Sequence, residues 1–325
     1  MTTSFLKTLA ALAVGAFCAL NVQAQSWPAK QPIRIVVPYP PGGASDVTAR
    51  LLSVKLGEAI KQNVIVENKP GANGIIALEE VARSAPDGYT LLMANLGPNA
   101  INPTIYKKLS YDPIKDFTPI TLISQIPLVV LVNPALPINS IQELLDYAKA
   151  HPEKLTFASA GTGAANHMSG EMMQSMADIK MVHVPYRGDA PAMQDVIAGT
   201  VSMIMPTLIG GLPQVKSGTL RALAVTSAQR SSAMTSLPTV AESGIPGFDA
   251  VSWGGIMGPG GMPEDIVNKL NVEMVKIFKQ PDVVEKMNAM GADVVASSPQ
   301  EFADYLQAEI TKWRKVATDN NVHVE

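Results

Sequence analysis

The sequence predicts an α/β fold of mostly parallel sheets flanked by helices, and three observations predict it. Short β-branched runs alternate with segments of helical periodicity along nearly all of the 325 residues. The first run, Ile33 to Val37, is β-branched at every position but Arg34, close to the pattern of a strand covered on both faces. The 24 glycines and 25 prolines fall at element ends, not in low-complexity tracts, so they punctuate a folded chain. Helices spaced between strands cover the faces of a parallel sheet.

Residues 1–24 stand outside that fold. Met1 to Phe5 carry no acid, Lys7 supplies one positive charge, and Leu9 to Leu20 is almost unbroken apolar sequence. Val22-Gln23-Ala24 follows with the small-x-small spacing that signal peptidases cut after. The apolar run is short of the ~20 residues a membrane span needs, so the segment reads as a cleaved secretory signal. The mature chain then begins near Gln25 and is exported to the periplasm. Cys18, the single cysteine, lies inside the signal, which leaves no disulfide, thiolate metal site or cysteine nucleophile.

The elements then follow in order. Ile33 to Val37 is a strand, and Ser45 to Lys61 a helix with Val47, Leu51, Leu52 and Ile60 at helical spacing. Strands are expected at Val64 to Val66 and Tyr89 to Ala94, with a helix at Ile75 to Ala85 between them. Phe117 to Val132 reads as two short strands broken at Ser124-Gln125. Ser140 and Glu143 have capping-box spacing at the start of a helix that ends near His151-Pro152. Strands at Leu155 to Ala158, Met181 to Val184, Val201 to Met205 and Leu220 to Val225 alternate with helices at Ala164 to Met176 and Pro191 to Ala198. Pro263 opens one C-terminal helix, with Glu264 and Asp265 in its first turn. Ser298 and Glu301 form a second capping box with Pro299 at the first helical position.

Composition excludes several function classes. The formal charge is −3 and basic residues never gather into a stripe, so nucleic acid is not a partner. Aromatics make up 5% of the chain, too few for a sugar-stacking surface. His151, His167, His183 and His323 never pair at metal-ligand spacing, and no metal is expected.

Two loops between a strand and a helix are rich in glycine, where ligands of open α/β sheets bind. In Tyr39 to Ser45, Gly42 and Gly43 admit close backbone approach, and the helix that follows starts with unpaired N–H groups. That is an anion cradle or a plain Pro-Gly turn. The second loop, Ser159-Ala160-Gly161-Thr162-Gly163-Ala164, adds two hydroxyls and another helix start. It is not a dinucleotide fingerprint. Asn166 stands at the third glycine position and the next strand ends at Tyr186-Arg187, without the ribose-binding acid, so no cofactor is expected. Ser159, Ser169, His167 and Asp189 lie near one another in sequence, but no nucleophile elbow accompanies them, which sets an exported hydrolase behind a binding protein. Arg187 is either a carboxylate partner or an exposed surface charge.

Together these segments resemble the tripartite tricarboxylate transporter substrate-binding family, the Bug receptors. The likeness runs through Tyr39-Pro40-Pro41-Gly42-Gly43 with Ser45, Asp46 and Arg50, Val66-Glu67-Asn68-Lys69-Pro70-Gly71-Ala72-Asn73-Gly74, and Asp87-Gly88-Tyr89-Thr90-Leu91. It continues in Ala100-Ile101-Asn102-Pro103, Tyr111-Asp112-Pro113 with Asp116-Phe117, and Ser159-Ala160-Gly161-Thr162-Gly163. Val184-Pro185-Tyr186-Arg187-Gly188, Leu223-Ala224-Val225, Arg230 and Glu242-Ser243-Gly244 ahead of Trp253 complete it.

The resemblance implies a two-lobed periplasmic-binding-protein type II (Venus flytrap) fold and a receptor, not an enzyme. Residues 25–124 plus 226–325 would form one lobe and 125–225 the other. It implies a small organic carboxylate as ligand, held by Tyr39, Gly42, Gly43 and Ser45 on one side and Ser159, Gly161, Thr162, Gly163 and His167 on the other, with Tyr186 and Arg187 in the cleft. Amino-acid-binding members resemble one another in a cleft acid where this chain reads Met205-Pro206-Thr207-Leu208, which favours carboxylates without an ammonium and places Thr207 at the ligand. The partners implied are integral-membrane transporter subunits, with a sensor kinase as the second reading, and the receptor is expected to act as a monomer.

Overall fold

The computed structural model describes residues 27–324, so the expected signal, its cleavage site and Cys18 lie outside the described residues. Two sheets organise the chain. β1 (Ile33–Val37), α1 (Ala44–Ile60), β2 (Val64–Asn68), α2 (Ile75–Ala82) and β3 (Thr90–Asn95) build parallel pairs on either side of β1. α3 (Asn102–Ile105) leads to β4 (Phe117–Pro127), which stays in this sheet. β5 (Val129–Val132), one residue later, is in the other.

The second sheet then collects α4 (Ile141–Ala150), β6 (Thr156–Ser159), α5 (Ala165–Ala177), β7 (Val182–Pro185), α6 (Asp189–Ile197), β8 (Met203–Ile204), α7 (Leu208–Ser217) and β9 (Arg221–Val225). The chain returns through β10 (Val251–Pro259), α8 (Glu264–Phe278), α9 (Pro281–Ala289), β11 (Asp293–Val294) and α10 (Pro299–Asp319). The first sheet has the order β11-β4-β10-β3-β1-β2 and the second β7-β6-β8-β5-β9.

Both sheets are mixed, which corrects the expectation of mostly parallel ones. β10 runs antiparallel to β3 and β4, and β5 antiparallel to β8 and β9. These are the strands by which the chain passes between sheets. They do not return through a covering helix on the same sheet, so the parallel rule of βαβ units does not bind them. The expected break at Ser124-Gln125 is also absent. Both residues are paired on two sides, by β10 and β11, and the ladder is irregular instead at Ile120 and at Ile123, whose carbonyl accepts from Val295 N–H at 2.8 Å.

The period-2 pattern shows which faces are buried. Ile33, Ile35 and Val37 pack with Leu52 and Leu56 of α1 and Leu270 and Phe278 of α8. Val36 points the other way, into a core that continues without interruption from Leu92 through Trp253 and Phe302 to Val130, Val132 and Met203 of the second sheet. Val129 and Leu131 take the remaining face with Met193 and Leu208. One core therefore joins the two sheets.

α10 fastens that junction. Its capping box at Ser298 and Glu301 is formed in both directions, as the spacing predicted. At Ser140 only the serine half forms, because Glu143 reaches back to Asn139 N–H. Buried Glu309 accepts from the indoles of Trp253 and Trp313 at 3.1 and 3.0 Å, and Lys312 pairs with its other oxygen. At the far end, Asn320 Nδ2 donates to the Glu171 carbonyl of α5 at 3.1 Å.

Candidate functional site

Two glycine-rich loops border one cavity of about 430 Å³. The first follows β1. Gly42, at φ 93°, turns its N–H onto Asp46 Oδ2 at 2.9 Å. Asp46 sits in the first turn of α1 with 4% of its side chain exposed. It also accepts from Arg50 Nε at 3.0 Å and from Asn68 Nδ2 at 2.9 Å, while Asn68 reaches the Tyr39 carbonyl. Arg50 above all, then the Gly42 amide and Asn68, hold this carboxyl down at about 2 against the desolvation that opposes them. Asp46 thus shapes the loop from behind and has no oxygen to spare for a ligand.

In front, Tyr39, Gly43, Ala44 and Ser45 line the cavity. The first helical bond of α1 is Val47 N–H to Gly43 O, so the amides of Ala44 and Ser45 precede the ladder and remain available. Ser45 Oγ donates to Asn95 Oδ1 at 2.6 Å, and Asn95 is held by Met93 O and Asn99. Desolvation pushes the Tyr39 phenol up to about 12, which keeps it a neutral donor.

The second loop joins β6 to α5. Gly161 and Gly163 both have positive φ, 136° and 80°. Most of its amides are already committed: Ala160 N–H to Asn166 Oδ1, Gly161 N–H to Ser159 Oγ, Gly163 N–H to His167 Nδ1 and Ala164 N–H to Gly161 O. Asn166 Oδ1 also caps His167 N–H. Helical bonding begins at Met168 N–H, which leaves Ala165 and Asn166 as the open amides of α5. Ala160, Gly163, Ala164 and Ala165 line the cavity, and Asn73, Leu96, Gly97, Gly188 and Ser252 complete it with Asn95. That lining contains no acidic and no basic side chain.

Of the residues expected at the ligand, the structure therefore brings together Tyr39, Gly43, Ser45 and Gly163 on the cavity wall. Gly42 turns its amide away to Asp46. Ser159 is fully buried, bonded to His183 Nε2 at 2.6 Å. Gly161 supports the loop, and Thr162 is exposed beside it. His167 lies beneath the loop, its ring stacked on His183 at 3.8 Å. Tyr186 gives its hydroxyl to Asp195 at 2.5 Å, and Arg187 is exposed. Thr207 bridges Leu128 at the start of α7 and is not among the lining residues. Asn95, Gly97 and Ser252 were missed, because their neighbours in sequence read as plain strand or turn. Asn73 and Gly188 stood inside quoted motifs without being singled out.

The Ser159–His183 pair has the contact distance of an activated nucleophile but not its setting. Ser159 has no exposed surface, and burial, then the adjacent His167, pushes the His183 imidazole down to about 3. Among the described residues no group of three or more His, Cys, Asp or Glu side chains gathers as a metal site requires, and no helix is long and apolar enough to cross a membrane.

A family model described as "Tripartite tricarboxylate transporter family receptor" matches residues 48–322. Protein BugT of Bordetella pertussis is 33% identical over 324 residues, covering 99% of both chains. A UPF0065 protein encoded in the tcbD-tcbE intergenic region of a Pseudomonas strain is 37% identical over 290 residues, 89% of this chain and 86% of its own. Among solved structures, Rhodopseudomonas palustris Rpa4515 with adipate superposes with a TM-score of 0.81 at 34% identity, covering 92% of this chain and 99% of its own. MatC of the same organism with bound malate gives 0.76 at 31%, over 89% and 99%. These neighbours are two-sheet α/β solute-binding receptors and not enzymes. The chain belongs to the tripartite tricarboxylate transporter receptor family of periplasmic solute-binding proteins.

Proposed function

We propose that this receptor captures a small organic carboxylate without an α-amino group and delivers it to a tripartite tricarboxylate-type membrane transporter. The observation that supports this most is the cavity lining. The amino ends of α1 and α5 both open onto it, with Ser45, Asn95 and Tyr39 as neutral polar groups, and no acid stands ready to meet an ammonium. Adipate and malate in the related structures fit that chemistry. The proposal includes two lobes, 25–124 with 226–325 and 125–225, that close on the ligand. The passage from β4 to β5 at Leu128 supports that division, as does the return from β9 to β10.

Calorimetry on the mature protein with succinate and aspartate tests the ligand class. An uncompensated ammonium costs a few kcal/mol even when partly hydrated, so succinate binds about tenfold or more tightly than aspartate. Equal or tighter binding of aspartate refutes the assignment.

A further inference from the structure

Carboxylate capture leaves a stacked histidine pair unexplained. His167 and His183 stack with ring centroids 3.8 Å apart, and Phe157 covers them, its centroid 6.3 Å from one and 5.0 Å from the other. Each ring holds one end of the 159–164 loop. His183 Nε2 bonds Ser159 Oγ, which accepts from Gly161 N–H at 3.1 Å. His167 Nδ1 accepts from Gly163 N–H at 3.1 Å, and Gly163 lines the cavity.

The Gly163 bond fixes the tautomer. Because Nδ1 is an acceptor, the ring proton sits on Nε2, 3.4 Å from Glu171 Oε1. Protonation of His167 would place a second N–H against that of Gly163, so a cationic ring cannot keep the loop in this position. The groups that face it are few. Glu171 on the same helix presents its carboxylate to the Nε2 edge, and His183 of β7 stacks on the ring face as a neutral imidazole. Asp189 of α6 reaches the helix start only through Asn166 Nδ2, at 2.7 Å. Asn320 of α10 meets Glu171 with a neutral amide.

We infer that His167 is the positioning residue of the ligand-binding loop and holds it only while its ring is neutral, so that acid loosens the grip on the ligand. The ligand half of this inference rests on the carboxylate reading; the loop half does not. His183 strengthens the device, because burial pushes its imidazole down to about 3 and leaves it a neutral platform stacked on the His167 ring.

The test uses the mature full-length chain labelled with ¹⁵N, first without ligand. The Gly163 amide resonance shifts between pH 8 and pH 5.5 in step with the His167 ring. Adipate affinity is then compared at pH 7.5 and pH 6, where ordinary carboxylates stay ionised, and falls at least about threefold at the lower pH. In His167→Asn an amide oxygen replaces Nδ1 as acceptor with nothing to titrate, and the ratio of the two affinities returns to about one. In His167→Leu the acceptor is lost and binding is weak at both pH values. A Gly163 resonance in the wild-type chain that does not move with pH overturns the inference, as does an His167→Asn variant with the wild-type pH ratio. If Gly163 titrates as expected and adipate and its homologues fail to bind at either pH, the loop device stands and the carboxylate reading fails.

Discussion

Asp46→Asn removes one charge from the first glycine loop and almost nothing else. The carboxylate accepts from Gly42 N–H, Arg50 and Asn68 Nδ2, and its side chain is 4% exposed. An amide in its place turns an NH₂ toward one of these donors and leaves Arg50 without its counter-charge. Hydrogen bonds to a charged group contribute about 1.5–3 kcal/mol each, and losing one of them with part of the ion pair costs about 2 kcal/mol. The titration gives a second route to the same figure. The carboxyl is held at about 2 in place of 3.8, and at 1.36 kcal/mol per unit this is about 2.4 kcal/mol at pH 7. The folded pKa is depressed, so this stability is present above the unfolded value and lost as pH falls through the folded one. About half remains at pH 3. Urea unfolding of both proteins at pH 7 and pH 3 reads it directly. A gap near 2 kcal/mol at pH 7 that shrinks to about half at pH 3 is expected. A variant as stable as the parent at pH 7, or a gap independent of pH, refutes the claim that Asp46 organises the loop through its charge.

Two further outcomes follow from the second loop. A methyl on Gly163 would stand 2.4 Å from Ile105 Cδ1 of α3, at a backbone φ of 80°, and a left-handed alanine costs about 1–2 kcal/mol by itself. Gly163→Ala should therefore weaken carboxylate binding about tenfold; calorimetry showing unchanged affinity would mean that this loop does not press against α3 in the bound state. His183 is a base whose folded pKa lies near 3 where the unfolded value is 6.5. Its contribution to stability is thus present above about pH 6.5 and lost as pH falls toward 3. Thermal melts at pH 7 and pH 4 should show a larger loss for the parent than for His183→Gln, and equal losses would contradict the assignment.

The parts of the fold legible in the sequence are those where a local rule and the tertiary structure agree. Ile33, Ile35, Val36 and Val37 are apolar because both faces of β1 are covered there, while Arg34 reaches out to Glu67 and Glu80, and Ser298 with Glu301 caps a helix through groups three residues apart. β10 escaped because Gly254, Gly255 and Gly258 weaken any strand pattern. The glycine at 255 is there because a Cβ would meet the Phe302 ring at 2.6 Å and the Thr121 carbonyl at 2.8 Å. α7 escaped for the same kind of reason. It contains Pro213 and Gly211, where a Cβ would meet Val129 at 2.8 Å, contacts that no helical propensity reports. At the site, the glycine loops were visible as motifs, but the roles within them were not. His167 and Ser159 stood beside glycines and read as ligand contacts, yet their side chains turn inward to hold the loop's own amides. Which face of a loop a side chain takes depends on β7 and on His183, 16 residues beyond His167.

The most direct test of the account is a crystal structure of the mature protein with the tightest-binding member of a dicarboxylate panel. The account predicts one ligand carboxylate within about 3 Å of the Ala44 and Ser45 amides or of the Ala165 and Asn166 amides, with no charged side chain in contact. A carboxylate found on Arg187, or outside the cavity between the two glycine loops, would contradict it.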